Sequence, residues 1–235
     1  MEKLVKLQDN ERTVFVGDTH AQYDITRRIF DKYLDSNTTI VFLGDYIDGG
    51  KRSKDNVDLI VDTQKTHSNQ IIMLQGNHEG YRHQPFRGTK FWREIEEDDF
   101  PYYRQLFDNL PLAASVGDII ATHSGLPNVT NLEEINNIEN GDENWKNTVW
   151  GDFTEHPYAP YHELRPTLSE SYFDNVMKRI GKKLLIRSHD PRPPLSMFMG
   201  RCVTLKTNRI KDVAIADYSQ GKPIQNLSDL KIEIV

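Results

Sequence analysis

The sequence of 235 residues is poor in cysteine and lacks long hydrophobic runs. Cys202 is its only cysteine, which excludes a disulfide framework and any zinc site built on several thiolates. No apolar stretch approaches the roughly 18–20 residues that a membrane-spanning helix needs. The chain begins Met1-Glu2-Lys3-Leu4-Val5, without a hydrophobic signal segment. We therefore expect a cytoplasmic protein in a reducing compartment, with no membrane partner.

The chain also lacks an excess of positive charge. It carries 29 Lys+Arg against 35 Asp+Glu, for a formal net charge of −6. A dedicated nucleic-acid-binding protein is usually basic, so we expect no nucleic-acid partner. The hydrophobic fraction of 37% and the charged fraction of 27% are typical of a globular domain. No stretch has the composition of a linker, and we expect residues 1–235 to form a single domain.

Short apolar runs rich in β-branched residues predict buried strands and an α/β fold. Helix-compatible segments at 24–34 and 56–66 alternate with the first three runs. This β-α-β-α-β order predicts parallel strands with right-handed crossovers. Two longer, aromatic-rich segments, 80–110 and 128–180, read as insertions with predicted helices at 90–97 and 169–179. The predicted strands are 13–16, 39–43, 71–74, 119–122, 183–186, 202–205 and 213–216.

Polar side chains able to bind a metal follow five of these predicted strands. In open α/β sheets, ligands bind at the carboxyl ends of the strands, so we expect these side chains to meet. They offer carboxylate, imidazole and amide donors without thiolate, a set that suits Mn, Fe or Zn. They are too many for one tetrahedral ion, and two ions that share a carboxylate would use them better. The residues are Asp18, His20, Asp45, Asp48, Asn77, His78, His123 and His189.

The remaining histidines carry no such signal. His67, His83, His156 and His162 follow no predicted strand. We expect these four side chains to lie at the surface.

Three of the segments resemble the signatures of a known family. Gly17-Asp18-Thr19-His20, Phe42-Leu43-Gly44-Asp45-Tyr46-Ile47-Asp48 and Gly76-Asn77-His78-Glu79 are similar, in order and spacing, to those of the phosphoprotein phosphatases. That family belongs to the calcineurin-like metallophosphoesterases. Weaker similarity continues through His123-Ser124-Gly125, Val149-Trp150-Gly151-Asp152 and Arg187-Ser188-His189. The resemblance implies two packed mixed β-sheets flanked by helices.

The resemblance also implies a role for each site residue. His78 would be the general acid, and Asp48 would orient its imidazole. Asp45 would bridge two divalent ions, with manganese expected and iron or zinc as alternatives. The implied ligands are Asp18 and His20 for the first ion, and Asn77, His123 and His189 for the second.

One departure from the family concerns phosphate binding. Protein phosphatases of the family have an arginine after the second aspartate of the middle signature, where this chain has Gly49. Lys51 and Arg52 follow at once, and Arg52 is one candidate to replace that side chain. Arg165 is the candidate for the family's second phosphate-binding arginine.

The implied activity is hydrolysis of phosphomonoesters. A metal-bridged hydroxide would attack phosphorus while His78 protonates the leaving oxygen. The expected substrate is a phosphorylated protein or a small phosphomonoester, and protein serine/threonine phosphatase activity is the leading interpretation. A nucleotide hydrolase similar to the dinucleoside tetraphosphatases is an alternative. A catalytically silent scaffold is disfavoured because all six implied ligands, His78 and Asp48 are present.

Overall fold

A computed structural model describes residues 2–8, 12–155, 165–205, 207–208, 212–219 and 224–235. In this part of the chain the helices are α1 Tyr23–Tyr33, α2 Ser53–Thr66, α3 Phe91–Glu94, α4 Phe100–Asp108, α5 Glu143–Trp150 and α6 Glu170–Ile180. The first seven strands are β1 Leu4–Lys6, β2 Arg12–Val16, β3 Thr38–Phe42, β4 Ile71–Met73, β5 Ala113–Val116, β6 Ile119–Thr122 and β7 Asp152–Thr154. The others are β8 Thr167–Ser169, β9 Leu184–Arg187, β10 Ser196–Met197, β11 Cys202–Thr204, β12 Thr207–Asn208, β13 Asp212–Ser219 and β14 Lys231–Ile234.

Two mixed sheets carry the fold. The first has the order β1-β5-β6-β9-β11-β10, and the second β12-β13-β2-β3-β4, with β14 also paired to β13. In the second sheet β2, β3 and β4 are parallel, as the alternating pattern predicted, whereas β13 runs antiparallel to β2. In the first sheet β6, β9 and β11 are parallel. The predicted pair of mixed sheets is confirmed.

The two sheets pack face to face, with helices on the outer faces. Neighbouring residues of one strand point to opposite faces of the sheet. Because both faces are covered, by the other sheet and by helices, the strands are apolar throughout. Phe15 of β2 belongs to the cluster between the sheets, together with Ile186 of the first sheet. Val14, the residue before it, packs with Ile29 of α1 and Ile60 of α2. A third cluster covers the outer face of the first sheet and includes Trp145, Phe173 and Leu185.

All seven predicted strands are present, and the helices differ from prediction mainly in length. The helix predicted at 90–97 is only Phe91–Glu94, and Ile95 already has extended backbone angles. The acidic run Glu94–Asp99 explains this early end, because negative charge near a helix C-terminus opposes the helix dipole. The helix predicted at 169–179 begins one residue later, because Ser169 caps it and accepts from the Tyr172 N–H.

In the described ranges, no helix is long and apolar enough to cross a membrane.

Candidate metal centre

The predicted site residues lie on tight loops at the carboxyl ends of the strands. Four of them have left-handed backbone angles although they are not glycine: φ is 42° at His20, 55° at Asp45, 64° at Asp48 and 71° at His189. Such conformations cost free energy for residues with a Cβ, and they concentrate at functional sites. This strain clusters at the carboxyl ends of strands from both sheets, which indicates that these loops are shaped for a ligand.

Two glycines let the loops after β3 and β4 approach each other. A Cβ atom on Gly44 would lie 2.6 Å from the Gly76 nitrogen and 2.9 Å from His123 Nδ1. A Cβ atom on Gly76 would overlap Oδ1 and the backbone nitrogen of Asp45. The absence of side chains at these two positions therefore brings Asp45 and His123 into the same small volume.

His20, Asp18 and Asp45 form one group of potential ligands. The Nε2 atom of His20 lies 3.8 Å from Asp18 Oδ2 and 3.8 Å from Asp45 Oδ2. The other ring nitrogen, Nδ1, lies 3.2 Å from the carbonyl oxygen of Ile47. A carbonyl can only accept, so Nδ1 carries the hydrogen, and the Nε2 lone pair faces the carboxylates. Metal-binding histidines are commonly oriented by such a bond.

A second group gathers around His123, which is fully buried. Its Nε2 atom lies 3.0 Å from Asn77 Oδ1, 3.1 Å from His189 Nδ1 and 3.5 Å from Asp45 Oδ1. Its Nδ1 donates to the carbonyl oxygen of Leu43 at 2.9 Å, so the Nε2 lone pair points into the group. Ligand atoms about 2.0–2.2 Å from a transition-metal ion lie roughly 3 Å from one another, which is the spacing found here.

Asp45 joins the two groups. Its Oδ2 faces His20 and its Oδ1 faces His123. The structure thus brings all six sequence-predicted ligands together, and it places the predicted bridging carboxylate between the two sets. The six residues offer nitrogen and oxygen donors, and backbone carbonyls bind the Nδ1 atoms of His20 and His123 that face away from the cluster. Such a set fits divalent transition-metal ions.

The electrostatics of the buried carboxylates favour a bound cation. Burial raises the pKa of Asp18, and the nearby Asp45 carboxylate raises it further. Burial also opposes ionisation of Asp45, yet His123, His78 and His20 surround it and leave its pKa below the usual value. Two carboxylates so close together in a dry site repel each other, and a divalent cation would relieve that repulsion.

His78 lies beside the first group and is held by Asp48. Its Nδ1 donates to Asp48 Oδ2 at 2.8 Å, and its Nε2 lies 3.8 Å from Asp45 Oδ2. By distance alone His78 could join His20 and Asp45 in holding an ion. However, its side chain keeps 13% exposure, whereas that of His123 has none. Burial alone would lower the pKa of His78, but Asp45 and Asp48 raise it to about 9.

Asp48 is in turn fixed by the insertion that follows β4. Its Oδ1 accepts from the N–H groups of Lys90 and Phe91, at 2.6 and 2.9 Å, and its Oδ2 accepts from the Thr89 hydroxyl at 2.7 Å. Burial opposes its ionisation, yet these bonds and His78 lower the pKa of Asp48 to about 2. The carboxylate therefore holds the His78 ring in one orientation.

Glu79, the last residue of the third signature, holds two of the site loops together. Its Oε2 accepts from the N–H groups of Asp45 and Gly76, at 2.8 and 3.0 Å, and its Oε1 accepts from the Tyr46 N–H at 2.9 Å. The side chain thus connects the loops after β3 and β4. The acid-after-histidine order was the only available signal, because Asp45 and Tyr46 lie 34 and 33 positions away in the sequence.

The two arginines proposed for phosphate binding lie in different surroundings. Arg165 pairs with Asp152, Nη2 donating to Oδ1 at 2.8 Å, and Asp152 Oδ1 lies 4.0 Å from His189 Nε2. Arg52 stacks over the Tyr23 ring and pairs with Asp55 at 2.7 Å. The structure therefore places Arg165 next to the ligand cluster, whereas the described contacts of Arg52 lie on α1 and α2.

The other histidines stay outside the cluster. His67 and His83 are partly exposed, and His83 Nε2 pairs with Asp108 at 2.8 Å. His156 and His162 lie outside the described residues.

The sequence of the chain is similar to a known protein family and to named proteins of other organisms. A family model described as calcineurin-like phosphoesterase matches residues 11–193. A probable serine/threonine-protein phosphatase of Encephalitozoon cuniculi is 27% identical over 210 residues, which are 80% of this chain and 44% of that relative. A serine/threonine-protein phosphatase of Arabidopsis thaliana is 29% identical, over 74% of this chain and 20% of that relative. The chain thus spans less than half the length of these two relatives.

Solved structures share the fold. A protein serine/threonine phosphatase from Saccharomyces cerevisiae, described as similar to human phosphatase PP5, aligns with a TM-score of 0.81 and 20% identity. The alignment covers 99% of this chain and 83% of that one. A chain named as a candidate diadenosine tetraphosphatase aligns with a TM-score of 0.61 and 17% identity, over 100% of this chain and 98% of that one.

Proposed function

We propose, from the premise that this chain belongs to the calcineurin-like phosphoesterase family, that it is a binuclear metal-dependent phosphatase acting on phosphorylated serine or threonine in proteins. The observation that carries the proposal is the carboxylate of Asp45, whose two oxygens face two separate groups of ligands. The similarity to relatives named serine/threonine-protein phosphatases supports the choice of substrate.

The six clustered donors would hold two divalent ions. Asp18 and His20 would hold the first, Asn77, His123 and His189 the second, and Asp45 both. Bound there, the ions would supply the positive charge that lowers the pKa of water and neutralises phosphate oxygens. Manganese as the native metal and a cytoplasmic location remain predictions from the sequence.

His78 would move the proton that the leaving group needs. The Nδ1–H of His78 is bound to Asp48, so Nε2 is the atom that can donate to the leaving oxygen. The carboxylates around the ring favour its protonated form, which a general acid requires. Asp48 keeps the ring in place during the transfer, because three further donors fix that carboxylate.

Arg165 would bind the substrate phosphate. Its guanidinium lies on the far side of the His189 ring from His123, anchored by Asp152. A guanidinium offers a planar set of donors that matches phosphate oxygens. This position would orient the phosphate toward the metal ligands.

A second candidate is hydrolysis of dinucleoside polyphosphates. Gly49 favours this second candidate, because protein phosphatases of the family have an arginine at the corresponding position. Both candidates use the same ligands and the same acid, and they differ in the group attached to phosphate.

Phosphate release from phosphoserine and phosphothreonine peptides, compared with cleavage of diadenosine tetraphosphate, separates the candidates. We expect the manganese-loaded protein to show the higher kcat/KM on the peptides, and Asp45→Asn to abolish turnover. Cleavage of the dinucleotide without peptide turnover would establish the second candidate instead. Turnover of neither substrate would contradict both.

A further inference from the structure

Two arginines near His189 share one carboxylate, and the sequence predicts a phosphate-binding role for only one of them, Arg165. The carboxylate of Asp152, the first residue of β7, forms ion pairs with two guanidinium groups. Arg165 contacts both of its oxygens, at 2.8 Å from Nη2 and 2.7 Å from Nε. Arg192 donates from Nη2 to Oδ2 at 2.8 Å. One carboxylate thus holds two arginines side by side.

Arg192 has a second anchor, which fixes its guanidinium although the residue is exposed. Its Nε donates to Asp190 Oδ1 at 2.8 Å, and its Nη2 donates to Asp190 Oδ2 at 3.0 Å. Asp190 is 4% exposed and follows the predicted ligand His189 directly. The position of Arg192 is therefore tied to the loop that carries a metal ligand.

The carboxylate that holds the arginine pair is separated from the ligand cluster by the imidazole ring of His189. His189 Nδ1 lies 3.1 Å from His123 Nε2, and His189 Nε2 lies 4.0 Å from Asp152 Oδ1. Arg165 and Arg192 are thus held on the side of His189 that faces away from His123, next to the candidate phosphate site.

Both arginines keep donors to spare. The contacts with Asp152 and Asp190 use Nε and Nη2 of each guanidinium, and within the described residues no partner is recorded for the Nη1 atom of Arg165 or Arg192. Each Nη1 group carries two N–H bonds. The side chain of Arg192 is 68% exposed, so a substrate can reach it from solvent.

The local charge favours an anion. Two arginines, Arg165 and Arg192, pair with two carboxylates, Asp152 and Asp190, so that the charge of the neighbouring Arg187 is left in excess. Arg187 is fully buried, and its Nη1 and Nη2 have no hydrogen-bond partner among the described residues. A buried positive charge without a carboxylate partner raises the local potential and attracts a phosphate dianion.

We propose that Arg192 is a second phosphate-binding residue, which acts with Arg165 as a two-arginine clamp on the outer oxygens of a phosphomonoester. Arg192 would supply the guanidinium that position 49 lacks, from a different loop and from the other side of the ligand cluster. The proposal rests on the proposed phosphatase function.

The test compares Arg192→Ala and Arg192→Lys with the unchanged protein, all loaded with manganese. Binding of inorganic phosphate is measured by calorimetry, and KM and kcat are measured with p-nitrophenyl phosphate. Loss of a charge-assisted hydrogen-bonding group should weaken phosphate binding by roughly 10- to 100-fold. We expect KM to rise in parallel, with a smaller change in kcat and no change in metal content. The lysine variant should recover only part of the affinity, because an ammonium cannot keep both the Asp190 and the phosphate contacts.

Arg104→Ala is the matched control. Arg104 is similarly exposed, at 54%, and its ion pair with Asp108 is long, at 4.0 Å. It should bind phosphate as the unchanged protein does. Wild-type phosphate affinity in both Arg192 variants would overturn the clamp. Should the unchanged protein bind phosphate through Arg192 yet hydrolyse no phosphomonoester, the clamp would stand and the proposed function would fail.

Discussion

At the scale of single residues, the environment of His78 differs from that of the predicted metal ligands His20 and His123. Its Nδ1 is held by a carboxylate, whereas His20 and His123 are held by backbone carbonyls. A carboxylate partner favours the charged imidazolium of His78, whereas a carbonyl partner carries no net charge and fixes which ring nitrogen bears the hydrogen. The difference in partner thus agrees with the roles proposed for them, an acid for His78 and metal ligands for His20 and His123.

The substitution His78→Asn should therefore lower kcat and leave metal content unchanged. Loss of a positioned general acid should reduce kcat by roughly 10²–10⁴ on a phosphoserine peptide. The loss should be smaller on p-nitrophenyl phosphate, because that leaving group needs little protonation. Steady-state kinetics on both substrates, with metal analysis of the same samples, measures the effect.

His67→Asn serves as the control for this substitution. His67 lies at the end of α2, apart from the ligand cluster, so its kinetics should be unchanged. Equal losses on the two substrates in His78→Asn, or loss of an ion, would show that His78 acts as a ligand rather than as an acid.

Glu79 offers a second test at the residue scale. Glu79→Gln replaces one acceptor oxygen by an amide group, which leaves a buried backbone N–H of the Asp45 or Gly76 loops without a partner. This should lower the free energy of unfolding by about 1–3 kcal/mol and weaken metal binding, because Asp45 sits on the loop that is released. Chemical denaturation and metal titration measure the two effects. The control is Glu133→Gln at an exposed position, which should change neither the free energy of unfolding nor the metal affinity. Unchanged metal affinity in Glu79→Gln would mean that the loops after β3 and β4 keep their shape without the Glu79 carboxylate.

At the scale of elements, the approach of two strand-end loops depends on Gly76. In Gly76→Ala the added methyl group would overlap Asp45, and Glu79 Oε2 would lie 2.7 Å from it. Since a displacement of about 1 Å in a catalytic site can cost about 100-fold in rate, we expect at least that loss in kcat together with weaker metal binding. Kinetics and metal titration test this.

Gly181→Ala is the control for Gly76→Ala. Gly181 ends α6 with φ of 66° and has open space around it. Alanine there should cost about 1 kcal/mol of stability and leave activity unchanged. Normal kinetics in Gly76→Ala would show that Asp45 can move without loss of function.

The sequence predicted the seven buried strands because each is apolar on both faces, which is what packing between two layers requires. It did not predict β1, because three residues pair with β5 more than a hundred positions away. It also did not predict α4 and α5, which lie inside the two long insertions. Asp142, which caps α5 by accepting from the Trp145 N–H, was a usable signal for the start of that helix.

For the site, the residues that could be predicted are those whose neighbours in sequence identify them. Asp18, Asp45 and His78 lie in short motifs directly after strands. Arg192 could not be found in this way, because Asp152, which brings it beside Arg165, is 40 residues away. Residues that act through tertiary contacts with the ligands leave no local pattern.

At the scale of the whole molecule, the candidate centre joins the two sheets. Asp18, Asp45 and Asn77 follow strands β2, β3 and β4 of the second sheet, whereas His123 and His189 follow β6 and β9 of the first. The group around His123 therefore draws ligands from both sheets. An ion held there would resist their separation, and its binding would add to the stability of the whole fold.

Metal binding should accordingly raise the melting temperature with a stoichiometry of two. A ligand at 100 times its Kd stabilises the folded state by about 2.7 kcal/mol per site, and about 2–4 °C accompany each kcal/mol in a chain of this size. We expect manganese to raise Tm by roughly 5–10 °C per ion relative to the chelated protein, as measured by calorimetry together with metal analysis. Asp45→Asn should lose most of this gain because both groups share that carboxylate, whereas His78→Asn should retain it. One ion per chain at saturation, or a full gain in Asp45→Asn, would contradict a shared carboxylate.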